Sequence, residues 1–123
     1  MCGRYSLTQP GEAVRRAFDV PADAHMGPRY NIAPTQTAPV VRPDGAGGRE
    51  LAMPRWGLVP AWADDPAIGQ RMINARGETA PEKPAFRAAF AKRRCLVPAD
   101  GFYEWTDEGP WYVEFDGVVA LAG

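Results

Sequence analysis

Lysine is nearly missing from this chain: of the 14 basic residues only Lys83 and Lys92 are lysine, and the rest are arginine. Arg is the better fork for phosphate, so a local anion-binding patch is compatible with a formal net charge of -1, which gives no global electrostatic case for nucleic acid. Histidine is reduced to His25. It has no Cys or acid at ligand spacing, which indicates no metal site, and a lone His leaves no Ser-His-Asp set. Two cysteines, Cys2 and Cys95, do not make a disulfide framework, and a bond between them is disfavoured in a reducing compartment. No apolar run approaches the ~18 residues of a membrane span. Arg4 near the start, with no apolar stretch behind it, does not read as a signal peptide. No phosphate-cradling glycine motif is present. These absences point to a soluble cytoplasmic protein with no membrane role, no metal and no cofactor.

What is abundant is turn chemistry. Gly and Pro number 13 each in 123 residues, which predicts many turns, few long helices and one domain over 1–123. Residues 2–7 alternate weakly and read as a short strand. Thr8 is a plausible cap for an amphipathic helix over about 10–19, with Val14, Ala17 and Phe18 on one face. Residues 21–29 read as a loop. Thr37–Arg42 and 49–59 read as two strands of a loose hairpin around Pro43-Asp44-Gly45, and 60–70 as a loop. Lys83–Arg93 reads as a helix with Phe86, Ala89 and Phe90 on one face. Cys95–Pro98 opens a buried strand, and 101–105 and 111–115 form aromatic strands. Asp116-Gly117 before Val118-Val119-Ala120-Leu121 carries a two-residue hairpin signal. The class is α+β with mostly antiparallel strands. The apolar run that ends at Gly123 suggests a strand expected to pair onward, and hence the N-terminal part of a longer chain.

Five places carry chemistry. If Met1 is removed, Cys2 presents an amine and a thiol on adjacent carbons. That 1,2-aminothiol condenses with an aldehyde and closes a five-membered thiazolidine. The unperturbed amine titrates at roughly 7.7–8.0 and the thiol at about 8.5, and a neighbouring cation such as Arg4 favours the thiolate. By itself Cys2 reads first as an accident of a cytosolic N-terminus, and the rest of the chain has to shift that reading. Glu104 stands in Phe102-Tyr103-Glu104-Trp105; desolvation there would raise its pKa and suit acid-base work, while strand alternation could instead turn it to water. Asn74 and Arg76, two apart, share one side of an extended backbone and suit a sugar hydroxyl and a phosphate, or form a surface pair. Arg55-Trp56-Gly57 and Trp62 combine aromatic faces with a cation, as single-strand binders do; core packing is the other reading of Trp56. Pro34, near Asn31, is a rigid tip able to wedge at a base step, or an ordinary turn residue.

Met1-Cys2-Gly3-Arg4-Tyr5, Tyr30-Asn31-Ile32-Ala33-Pro34-Thr35, Trp56-Gly57-Leu58-Val59-Pro60-Ala61-Trp62, Ile73-Asn74-Ala75-Arg76-Gly77-Glu78-Thr79 and Arg94-Cys95-Leu96-Val97-Pro98-Ala99-Asp100-Gly101-Phe102-Tyr103-Glu104-Trp105 resemble, in order, the motifs of the SRAP (SOS response-associated peptidase, abasic-site-processing) family. The resemblance implies a barrel-like arrangement of antiparallel strands with a few short helices. It implies binding, as a monomer, to single-stranded or junction DNA carrying an abasic site, and a covalent thiazolidine crosslink through Cys2 in the DNA-damage response. The catalytic set would be Cys2, Asn74 and Glu104, with Asn74 holding the sugar or the Cys2 amine and Glu104 moving protons. The DNA-binding set would be Arg4, Asn31, Pro34, Trp62 and Arg76: Arg4 and Arg76 on phosphates, Trp62 and Pro34 on bases or at the junction. The location would be cytoplasmic, at the nucleoid when bound to DNA. A thiol peptidase that processes its own N-terminus, or a non-catalytic single-strand-binding fragment, are the other readings. Two departures stand out. The family's later His-x-Arg-x-Pro-like segment is absent and His25 does not match it; and the basic residue expected soon after Asn-Ala-Arg is replaced around Pro84, with Lys83 the nearby substitute.

Overall fold

The computed structural model describes residues 2–21 and 26–123; the expected loop at 21–29 and His25 therefore fall partly or wholly outside the described residues. One six-stranded sheet carries the fold. Its strands are β1 (Arg4–Leu7), β2 (Arg29–Ile32), β3 (Val40–Pro43), β4 (Arg49–Ala52), β5 (Leu96–Thr106) and β6 (Gly109–Ala122). The helices are α1 (Gly11–Phe18) and α2 (Arg87–Lys92), with a 3-10 turn at Pro66–Gln70.

Strand β5 is the spine. Strand β6 runs antiparallel along one of its edges from Leu96↔Ala122 to Thr106↔Gly109. On the other edge β3 meets it at Val41↔Leu96 and β1 at Arg4↔Tyr103, Tyr5↔Phe102 and Ser6↔Gly101. Strands β2 and β4 flank β1 and β3 in turn. Two short strands sharing one edge of a long one curl the sheet into an antiparallel half-barrel. Tyr5, Leu7, Ile32, Val41 and Ala99 from the strands and Val14 and Phe18 from α1 fill its core. Complete burial of Val14 is worth about 1.5–3 kcal/mol and fixes α1 against the sheet.

Several local expectations give way to tertiary demand. Thr8 does not cap α1; the cap position is Pro10, in extended conformation with no side-chain hydrogen bond. The Thr8 hydroxyl instead donates to Asp100 Oδ2 at 2.8 Å, which also accepts from the Thr8 and Gln9 amides, while Asp100 Oδ1 accepts from Ser6 Oγ at 2.6 Å. Asp116-Gly117 is not a hairpin turn. β6 passes through it, Gly117 adopts φ 85°, and two steps on β5 (Ala99 to Gly101) stand opposite five on β6 (Val119 to Glu114), a bulge. The second hairpin strand ends at Ala52 rather than continuing to 59, and the second helix is confined to Arg87–Lys92, because Pro54 and Pro84 cannot donate to a ladder or a helix interior. Residues 83–86 still form a helical turn, with the Arg87 amide on the Lys83 carbonyl at 2.9 Å.

Candidate active site

Cys2 sits two residues ahead of β1, where the strand delivers it to the rim of the half-barrel. Its Sγ–H donates to the Arg4 carbonyl at 3.1 Å. Its own carbonyl accepts from Asn74 Nδ2 at 2.6 Å. The two residues that lead into Asn74 are anchored: the Met72 carbonyl accepts from the Leu58 amide at 3.0 Å, and the Ile73 carbonyl from the Trp56 indole at 2.8 Å. Trp56 in turn meets Tyr5 edge-on, 5.4 Å between ring centres. Trp56 is therefore a half-buried packing and positioning residue, not an exposed stacking face.

Glu104 lies on β5 two residues beyond Phe102, which packs on the core. Alternation puts both on the same side of the strand, and Glu104 is half-buried. Its carboxylate reaches Cys2 electrostatically: burial pushes the Cys2 thiol above its ordinary value, and the Glu104 charge acts in the same direction. Cys2, Tyr5, Trp56 and Asn74 line an open, mostly apolar cavity of about 630 Å³, which is also lined by Phe86, just ahead of α2, and by Ala89 and Phe90 of α2.

The remaining expected residues form a looser periphery. Arg4 donates to Asn31 Oδ1 at 3.1 Å, joining β1 to β2. Pro34 sits in a turn tied to the Trp56 segment, through Thr35 (φ 73°) whose amide meets the Trp56 carbonyl at 2.9 Å. Trp62 is 60% exposed, its indole donating to the Pro84 carbonyl at 3.3 Å. Residues 74–76 are not strand, so Asn74 and Arg76 do not share a pleated face; Asn74 is half-buried and Arg76 exposed. The structure thus hydrogen-bonds Asn74 to Cys2 and Arg4 to Asn31, brings the Glu104 charge to bear on the Cys2 thiol, and leaves Pro34, Trp62 and Arg76 without a hydrogen bond to Cys2 among the described residues. Cys2 and Cys95 are both free thiols. Among the described residues no cluster of three or more His, Cys, Asp or Glu could hold a metal, and no helix is long and apolar enough to cross a membrane.

Sequence reasoning missed Asp100, the buried acceptor that binds β1 to the strand carrying Glu104, and Tyr103, whose hydroxyl donates to the Tyr30 carbonyl at 3.0 Å. A lone acid followed by Gly in an apolar strand was the only available signal for Asp100.

A curled antiparallel half-barrel with few helices, carrying a thiol, an amide and a carboxylate beside its first strand, defines the class of fold and site. The family model described as SOS response associated peptidase (SRAP) matches residues 1–123, and the chain belongs to that family. It is 46% identical over 108 residues to the abasic site processing protein YoaM of Bacillus subtilis, covering 85% of this chain and 47% of that protein. It is 31% identical over 150 aligned positions to the abasic site processing protein HMCES of Xenopus tropicalis, covering 98% of this chain and 44% of that protein. The chain therefore spans about half the length of these curated relatives. A phage-related protein of Bordetella bronchiseptica has the same fold, with TM-score 0.78, 28% identity and coverage of 98% of this chain and 59% of that one. A Bacteroides thetaiotaomicron protein superposes with TM-score 0.77 at 25% identity, covering 98% and 58%.

Proposed function

We propose that this chain processes abasic sites in single-stranded or junction DNA by forming a thiazolidine through Cys2. The observation that carries the reading is the 2.6 Å hydrogen bond from Asn74 to the Cys2 carbonyl, which fixes the orientation of the very residue whose amine and thiol must reach one carbon. The names of the relatives supply the DNA lesion.

The chemistry requires loss of Met1, because in the intact chain the Cys2 nitrogen is an amide. The freed amine adds to the aldehyde carbon of the ring-opened sugar, and water leaves to give an imine. Cys2 sulfur then adds to the same carbon, the thiol proton passes to the nitrogen, and the ring closes. No electron acceptor or donor is needed. In this reading Glu104 relays these protons, and its charge, which acts to raise the thiol pKa, favours the protonated thiol until the imine has formed. Arg4, Asn31, Pro34, Trp62 and Arg76 are the proposed contacts to the strand on either side of the lesion.

The test is intact-mass analysis after incubation with an oligonucleotide containing one abasic site. The expected product is a covalent adduct with loss of one water per imine formed, absent with Cys2→Ala and absent when Met1 is retained. An adduct that survives Cys2→Ala would overturn the reading. Turnover of a peptide without DNA, blocked by the same substitution, would replace it with a thiol peptidase.

A further inference from the structure

Three segments distant in the sequence converge on Trp56. Its backbone amide donates to the Gln36 carbonyl and its own carbonyl accepts from the Thr35 amide, each at 2.9 Å. Its indole N–H donates to the Ile73 carbonyl at 2.8 Å. Its ring meets the Tyr5 ring edge-on, with 5.4 Å between centres. Every polar group of Trp56 is thus engaged, by the turn at 35–36 or by the segment that leads into Asn74, and its ring is engaged by β1.

Two of these segments are the ones that meet in the Asn74–Cys2 hydrogen bond. Ile73 directly precedes Asn74, whose side-chain amide donates to the Cys2 carbonyl at 2.6 Å. Tyr5 is three residues beyond Cys2, fixed in the sheet opposite Phe102. One aromatic residue therefore touches both the donor's side and the acceptor's side of that bond. The residues after it hold the same alignment. The Leu58 amide donates to the Met72 carbonyl at 3.0 Å. Gly57, at φ 132°, lies so close to Gly69 that a Cβ on Gly57 would strike the Gly69 carbonyl. An Asn side chain is too short to make good a drift of its backbone, and a bond stretched to about 3.6 Å is no longer a hydrogen bond.

We infer that Trp56 is a positioning residue for the reaction at Cys2: it touches no substrate atom and acts by holding Asn74 to the Cys2 carbonyl. The inference rests on the thiazolidine reading above and adds a residue to which that reading gives no part. A group held by a supporting hydrogen bond and by packing keeps its reactive geometry only while both are intact. Trp56→Phe keeps a ring against Tyr5 and takes away the donor to Ile73.

The test is single-turnover adduct formation with an abasic oligonucleotide, taken up to saturation, for the Met1-processed wild type, Trp56→Phe, Asn74→Ala and the double variant. Trp56→Phe should lower the saturating rate about tenfold, part of the ~10²-fold that an ångström of misplacement costs, and leave the half-saturating concentration unchanged. In the Asn74→Ala background the same substitution should change the rate by less than about twofold, because the bond it acts through is already gone. Val14→Ala, at a fully buried core position, should leave the saturating rate of the folded protein unchanged, which separates positioning from a general loss of stability. Circular dichroism checks folding. Trp56→benzothienylalanine, which keeps the bicyclic shape and has sulfur in place of N–H, makes the same comparison if the Phe variant does not fold. Hydrogen exchange at the Asn74 side-chain amide, followed by NMR, needs no reaction: it should be slow in the wild type and fast without the indole donor. A wild-type rate in the folded variant, an undiminished effect in the Asn74→Ala background, or unchanged exchange at Asn74 overturns the inference. If the wild type forms no adduct the thiazolidine reading falls, and the exchange measurement alone decides whether Trp56 holds Asn74 to Cys2.

Discussion

Asn74 and Cys2 lie 72 residues apart in the chain and are joined by a 2.6 Å hydrogen bond from the side-chain amide to the backbone carbonyl. That bond orients a residue which otherwise hangs ahead of its strand. Asn74→Ala is expected to reduce adduct formation about 10²-fold, the scale of an ångström of misplacement, while costing about 1 kcal/mol of stability. Single-turnover kinetics and urea unfolding separate the two effects. An equal, small loss in both would remove Asn74 from the reaction.

The Cys2 thiol is predicted to be sluggish at neutral pH, because burial and then the Glu104 charge push its pKa up. Alkylation by iodoacetamide, followed at the Cys2 peptide by mass spectrometry, should rise about tenfold per pH unit and level off above the ~8.5 of a free cysteine. In Glu104→Gln the plateau should move to lower pH. A plateau at or below the free value would contradict the burial of this thiol.

Glu104→Gln should also slow adduct formation about 10²-fold or more, the usual size of a general acid-base contribution, with oligonucleotide affinity retained. A wild-type rate would exclude proton transfer by this carboxylate.

Asp100 is nearly buried, and burial alone would raise its pKa; hydrogen bonds from Ser6, Thr8 and Gln9 outweigh that and hold the value below the ordinary one. A folded pKa below the unfolded value of about 3.9 means stability that is complete above that value and lost as pH falls through the folded one. Asp100→Ala should cost about 3 kcal/mol at pH 7 and flatten the acid limb of stability below about pH 4, measured by urea unfolding across pH. Wild-type and variant curves that stay parallel down to pH 2 would refute the assignment.

A Cβ at Gly101 would run into the ring and hydroxyl of Tyr112, which lies across it and hydrogen-bonds Ser6 at 2.8 Å. Gly101→Ala should destabilise by about 1–3 kcal/mol through overpacking. In a Tyr112→Ala background the cost should fall below about 0.5 kcal/mol, and a double-mutant cycle reads the difference. Additive costs would mean that the glycine serves another purpose.

The sequence made legible whatever was local or chemically singular. Val14 and Phe18 announced α1, the aromatic runs announced the β5–β6 hairpin, and Cys2, Asn74 and Glu104 announced themselves by residue type and motif. Partners distant in sequence were not legible. Thr8 has the chemistry of a helix cap, but Asp100, 92 residues away, takes its hydroxyl. Asp116-Gly117 has the chemistry of a hairpin turn, yet pairing on both sides with β5 converts it to a bulge. The even spacing of Asn74 and Arg76 implied a pleated face that no neighbouring strand supplies. In each case a tertiary hydrogen bond, or its lack, decided among conformations that local propensity left open.

Among the described residues β6 is paired only along β5. Its other margin offers alternating amide and carbonyl groups over most of a 14-residue length. Main-chain geometry alone lets such a margin accept an extended segment in register. A segment zipped along it would carry the curvature of the sheet further round, next to the end of β6 where Leu121 and Ala122 line the same cavity as Cys2.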